Sequence, residues 1–291
     1  MASDFRLASD RRTAIAKAMR FDTAPRIMGI VNATPDSFFE GSRSMDEEAV
    51  RRGLSMWDEG AIWVDVGGES TRPGAEPVSI ELELERVLPV VRGLRAARPM
   101  GFISIDTRHA AVAQAAIEAG ADMVNDVSGL RDPKMMDVVV NTGCAVCVMH
   151  MQGEPGSMQK NPRYADVVEE VRSSLEEVKQ ALADRGHPVP LISVDPGIGF
   201  GKTQAHNIAL LSEGRGLMKT EGSLLWGVSR KSIVGHLTGQ SDPAQRLSGT
   251  LGLAAVAHRM KVDIVRVHDV VEHRDLFEAM SLGSTQSKHV E

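Results

Sequence analysis

Polar residues end nearly every short apolar run in this chain, and they are of kinds that bind or move charge. They are Asn32, Asp65, Asp106, Asn125 with Asp126, His150, Asp195, Ser229 with Lys231, and Arg266 with His268. Asp195 closes the β-branched run Leu191-Ile192-Ser193-Val194. It opens Pro196-Gly197-Ile198-Gly199-Phe200-Gly201-Lys202-Thr203, where three alternate glycines leave backbone that a flat ligand can approach. Two phosphate loops are excluded by identity. A Walker A loop ending in Gly201-Lys202-Thr203 needs glycine where Pro196 stands, and a dinucleotide fingerprint beginning at Gly197 needs glycine where Lys202 stands. Arg266 and His268 are two residues apart, so on a strand they share a face and can form a local cationic cluster. The formal net charge is −6. That argues against a general nucleic-acid surface and leaves any anion to a cluster of this kind.

The elements that must position these residues follow from periodicity. Eight short apolar runs read as strands: Arg26 to Asn32, Ile62 to Val66, Phe102 to Asp106, Met123 to Asn125, Ala145 to His150, Leu191 to Asp195, Leu224 to Gly227 and Ile264 to Val267. Segments of helical spacing lie between them, such as Val167, Val168, Val171, Leu175, Val178 and Leu182. Leu84, Val87, Leu88, Val91 and Leu94 form another, which Pro89 should kink unless it marks the real start. Uninterrupted strand and helix alternation specifies parallel strands, and eight units close into a single-domain (β/α)8 TIM barrel. A doubly wound open sheet is the competing architecture. In a barrel the polar strand ends converge on one mouth. Residues 1–20 are expected as a short N-terminal extension, with a helix from Asp10 to Met19 closing the bottom, and residues 21–291 as the barrel.

The chain of 291 residues, 42% hydrophobic and 25% charged, has the composition of a soluble enzyme. No apolar run is long enough for a bilayer span and no signal core precedes the first strand, so a cytoplasmic location without membrane association is expected. Cys144 and Cys147 are an odd number of positions apart on a strand and should face opposite sides, which disfavours a shared metal. Three connections are long and polar, Ala33 to Met45, Gly67 to Val78 and Met151 to Arg163, consistent with lids over a substrate.

Met28-Gly29-Ile30-Val31-Asn32-Ala33-Thr34-Pro35-Asp36-Ser37-Phe38 and Asp65-Val66-Gly67-Gly68-Glu69-Ser70-Thr71-Arg72-Pro73-Gly74 resemble the signature segments of dihydropteroate synthases. So do Ser104-Ile105-Asp106-Thr107, Asn125-Asp126-Val127, Met149-His150, the run from Asp195 to Thr203, Gly227-Val228-Ser229-Arg230-Lys231-Ser232 and Arg266-Val267-His268-Asp269-Val270. The resemblance implies condensation of (7,8-dihydropterin-6-yl)methyl diphosphate with 4-aminobenzoate, Mg2+ as cofactor, inhibition by sulfonamides and a homodimer formed through outer helices. Phe39-Glu40 departs from the usual pattern on a lid expected near the arylamine, and so bears on sulfonamide sensitivity.

Carried over residue by residue, the resemblance assigns the pterin to Asp106, Asn125, Met149, Asp195, Gly227 and Lys231. It assigns the diphosphate to Asn32, Thr71, Arg72, Arg266, Val267 and His268, with Asn32 also offering an oxygen to Mg2+. It assigns 4-aminobenzoate to Phe38, Thr71, Pro73, Gly199, Phe200 and Ser232. Arg72, Lys231, Arg266, His268 and Asp36 are the expected catalytic set. A carboxylate such as Asp195 can accept two N–H bonds from the pterin edge. The expected route is dissociative, diphosphate leaving before the arylamine attacks, with no side-chain nucleophile. Helix capping is the competing role for Asp106 and Asn125. A pterin-dependent methyltransferase and a pterin-binding paralogue without turnover are the competing functions, and pyrophosphate release requiring both substrates distinguishes them.

Overall fold

Each β-branched run is too short and too apolar to stand alone, and each is followed by a helix long enough to return the chain to the same edge. The computed structural model describes residues 5–33, 42–70, 77–154 and 156–282, with backbone alone for 42–45. Its strands are β1 (Arg26–Asn32), β2 (Trp63–Gly67), β3 (Phe102–Asp106), β4 (Met123–Asp126), β5 (Ala145–Met149), β6 (Ile192–Asp195), β7 (Ser223–Trp226) and β8 (Ile264–Val267). They form a closed barrel in sequence order. Every pairing is parallel, including β1 with β8, which closes it. The open sheet is thereby excluded.

The strand ends differ from the sequence reading by single residues. Val189–Leu191 is a 3-10 turn, so β6 begins at Ile192, and Gly227 lies just past β7. The helices are α1 (Ser9–Ala18), α2 (Ser42–Asp58), α3 (Ile80–Ala97), α4 (Ala110–Ala119), α5 (Met135–Thr142), α6 (Val167–Asp184), α7 (Gln204–Glu213), α8 (Ser232–Thr238), α9 (Leu247–Arg259) and α10 (Val270–Ser281). Pro89 falls inside α3 and marks no start. It lies on the exposed face, where the carbonyl one turn back can turn to water.

Two apolar layers result. Outward-facing strand residues such as Val64, Ile105, Val146 and Val267 pack under the helices, with Val87, Val91 and Leu94 of α3 among them. Inward-facing Met28, Trp63, Met123, Cys147, Leu225 and Ile264 fill the lower barrel. Helix α1 plugs its base, as expected: Ile15, Ala18 and Met19 are buried there. Trp63 Nε1 donates to the Ala18 carbonyl at 3.0 Å and Ser223 Oγ to the Met19 carbonyl at 2.7 Å. Cys144 sits in the outer layer and Cys147 in the inner one, so the two thiols do face opposite sides. Burial pushes the Cys144 thiol up to about 12. Among the described residues no helix is long and apolar enough to cross a membrane.

Candidate active site

Above the apolar plug the barrel interior becomes polar within one side-chain layer. Asp65, Ser104, Asp106, Asn125, Ser193 and Asp195 are all buried there. Strand register explains the convergence: Gly67 of β2 is level with Asp106 of β3, which is level with Asn125 of β4, and Met149 of β5 is level with Asp195 of β6.

Arg266 of β8 reaches across this layer. Its Nε donates to Asp65 Oδ2 at 2.6 Å and its Nη2 to Asp106 Oδ2 at 2.7 Å. Asn125 Nδ2 donates to the same Asp65 oxygen at 3.1 Å. One guanidinium therefore stands between two carboxylates, and their charge holds its proton more firmly than usual. Burial, with help from Asp65, pushes Asp106 up to about 7 against the pull of Arg266. Capping is not the role of Asp106 or Asn125. The first turn of α4 is served by Thr107 and Asp132, and the bend after β4 by Asp126.

On the other side of the mouth, Asp195 Oδ1 accepts the Gly197 N–H at 2.7 Å. Burial raises its carboxyl above the ordinary range, and Lys231 opposes that rise. Lys231 Nζ donates to the Ile198 carbonyl at 2.7 Å and lies 4.6 Å from the centre of the Phe200 ring. Gly227 sits between acid and amine: a Cβ there would stand 3.7 Å from Asp195 Oδ2 and 3.8 Å from Lys231 Nζ. Burial lowers Lys231 to about 8, with Asp195 resisting and Arg266 assisting. Asp106, Asp195, Lys231 and Arg266 thus act on one another at one barrel mouth.

His268 leaves β8 on the same side as Arg266, its Nδ1 2.9 Å from Ser229 Oγ. Val267 does not join them. Its side chain is buried under the helices, so only its peptide could meet an anion. Asn32 ends β1 beside Gly67, Met149 is buried at the end of β5, packed with Phe200, Met151 and Met158, and Ser232 is exposed at the first position of α8. Asp36, Phe38, Thr71, Arg72 and Pro73 lie outside the described residues.

The glycines after Asp195 serve a different neighbour from the one expected. All three have positive φ. A Cβ on Gly197 would stand 1.9 Å from the His150 carbonyl oxygen, and one on Gly201 would stand 2.5 Å from that of Gln152. Those two positions are glycine because the loops after β5 and β6 pack backbone to backbone. Only Gly199 faces the site, with a Cβ position 3.5 Å from Lys231 Cδ. Lys202 ties the same loops together: its buried Nζ lies 3.0 Å from His150 Nδ1 and donates to the His150 and Phe200 carbonyls at 3.2 and 2.9 Å. Burial, reinforced by Lys202, holds His150 neutral down to about 3. Sequence reasoning gave Asp65, His150 and Lys202 no role. Asp65 and His150 had position near strand ends as their signal, Lys202 only its place in the loop after β6, and what each touches depends on the neighbouring strand or loop.

The pH dependence of the site follows directly. The Asp106 carboxylate is lost as pH falls through about 7, and the Lys231 ammonium as pH rises through about 8. Second-order turnover should therefore peak between them and fall on both sides. Lys231→Arg should move only the basic limb, to higher pH. A limb unmoved by that substitution would dissociate Lys231 from it.

A closed barrel whose C-terminal mouth gathers buried acids, an amide and basic groups has the arrangement of a barrel enzyme. Residues 28–268 match the family described as "Pterin binding enzyme". The dihydropteroate synthase of Escherichia coli strain K12 is 41% identical over 271 residues, which are 92% of this chain and 95% of that protein. The Xanthomonas albilineans dihydropteroate synthase structure with 4-aminobenzoic acid superposes with a TM-score of 0.84 at 41% identity, covering 90% of this chain and 94% of that one. The Burkholderia cenocepacia dihydropteroate synthase complexed with 7,8-dihydropteroate gives 0.83 at 40% identity, covering 91% and 94%. The chain belongs to the dihydropteroate synthase family of pterin-binding enzymes.

Proposed function

We propose that this chain condenses (7,8-dihydropterin-6-yl)methyl diphosphate with 4-aminobenzoate to give 7,8-dihydropteroate and pyrophosphate. The observation that supports this reading is the gathering of Asp106, Asn125, Asp195 and Lys231 at the barrel mouth, where Arg266 of β8 and His268 just after it also stand. The acids and the amide supply acceptors for the N–H groups of the pterin edge, and Lys231 donates to its ring oxygen and nitrogen. Arg266 and His268 lie where the departing diphosphate gathers negative charge, and they stabilise it most when the bond is broken.

In the reaction the bond between the pterin methylene and the diphosphate oxygen breaks, and its electron pair leaves with diphosphate. The arylamine nitrogen then bonds to the methylene and gives its extra proton to solvent. Gly199, Phe200 and Ser232 border the arylamine side, and sulfonamides would compete there. Asp36, Phe38, Thr71, Arg72 and Pro73 keep the roles the resemblance implies for them. No side chain needs to become covalently attached; the chain positions, excludes water and holds charge.

Mg2+ belongs to the same reading. Among the described residues no group of three His, Cys, Asp or Glu could hold a metal alone. A hard ion of this kind would take a protein oxygen from Asn32 at the end of β1. When bound it would neutralise charge on the leaving group. Chelation of Mg2+ should therefore stop pyrophosphate release while leaving the affinity for a diphosphate-free pterin unchanged, as read by calorimetry. Assembly as a homodimer through the outer helices and a cytoplasmic location complete the proposal. The deciding assay is pyrophosphate release. It should require the pterin diphosphate and 4-aminobenzoate together, whereas methyl transfer, or pterin binding without release, would overturn the reading.

A further inference from the structure

At the end of the barrel away from the mouth, two arginines and a histidine gather with no ion pair to an acid among the described residues. Helix α1 carries Arg11 and Arg12 side by side. Arg11 has its acid: Nε and Nη2 each donate to Asp122 at 2.7 Å. Arg12 does not, and its buried Nε has no hydrogen-bond partner. A Cβ added to Gly143, which ends α5, would stand 3.6 Å from Arg6 Nε and 3.7 Å from Arg12 Nη1. Both guanidinium groups therefore crowd the same point.

His187 lies in the turn between α6 and β6. It is 3% exposed, and neither ring nitrogen has a partner. Burial, then the charges of Arg6 and Arg12, holds it neutral down to about 4. Helix α1 packs against the Val189–Leu191 turn just beyond His187 and against β5, which pairs with β6. The charges of both arginines thus act on His187 where two neighbouring strands enter the barrel.

The dipole of α5 accounts for one cation at its C-terminal end. It does not account for a second cation beside the first, or for a buried imidazole unpaired at both nitrogens. Native folds normally give such a group a partner, and an unpaired one points to an ion or water that completes it. We infer that Arg6, Arg12 and His187 form a binding site for a small oxyanion of the phosphate class, separate from the catalytic mouth. Guanidinium forks match the oxygens of such an anion, and a tetrahedral oxyanion offers enough acceptors for three donors arriving from different elements. Its charge would draw a proton onto His187, turning the imidazole into a donor.

The test uses the full chain, with inorganic phosphate as probe against chloride at equal ionic strength. The readout is the imidazole NMR signal of His187, assigned by its loss in His187→Asn. Phosphate should move that signal saturably toward the imidazolium position. Arg12→Met, and Arg6→Ala at an exposed position that carries little folding risk, should each weaken the response by about tenfold or more, the worth of one charge-assisted contact. Neither should change turnover. An unmoved His187 signal, a response confined to His268, or equal responses in the wild type and both arginine variants would overturn the inference.

Discussion

Asp195→Asn is expected to lower pterin affinity by about 10²- to 10⁴-fold while raising thermal stability. The loss follows from two charge-assisted acceptor contacts at about 1.5–3 kcal/mol each, which an amide cannot reproduce because one of its atoms is a donor. The gain follows from the carboxyl itself. Burial raises its pKa above the unfolded value, so at neutral pH the ionised group opposes folding. That cost is absent below the unfolded carboxylate range of about 4 and grows as pH rises above it. The melting temperature of the variant should accordingly exceed that of the wild type at pH 7 and converge with it in acid. The amide oxygen can still accept the Gly197 N–H, so the loop after β6 should keep its shape. Isothermal calorimetry and a pair of melting curves check both halves.

Arg266→Ala should have the second large effect, and the fold makes it a compound one. Loss of a donor aimed at developing charge costs about 10²- to 10³-fold in kcat. The same substitution strips two buried carboxylates of their counter-ion, Asp65 at 2.6 Å and Asp106 at 2.7 Å. Breaking a buried pair on one side typically destabilises by about 3–5 kcal/mol. Pterin affinity should fall too, because Asp106 is both a pterin acceptor and a partner of Arg266. A purely catalytic defect is therefore not expected. Asp65→Asn in the Arg266→Ala background should recover part of the stability by removing one stranded charge, without recovering turnover. Additive destabilisation in the double variant would refute the coupling.

The barrel was legible because nearly every strand is a short apolar run with an acid, amide or base at or near its end, and because eight such runs alternate with helical periodicity. Arg266 and His268 could be placed on one face from their spacing alone. What spacing could not supply is register between strands far apart in sequence. Nothing local to Asp65 says that it pairs with Arg266 across the closure between β1 and β8. The glycines show the same limit: they were read as backbone open to a flat ligand, yet two of them serve a neighbouring loop's carbonyls. Val267 was carried over with its neighbours, but alternation along β8 turns its side chain away from the mouth.

The division of labour around the mouth can be tested by one comparison. Dissociation constants would be measured for a pterin with and without its diphosphate, in the wild type, Asp195→Asn and His268→Ala. Asp195→Asn should weaken both ligands by the same large factor, and His268→Ala should weaken only the one that carries diphosphate. If His268→Ala weakens both equally, or Asp195→Asn spares the diphosphate-free ring, then the acids do not hold the heterocycle apart from the bases that receive its leaving group.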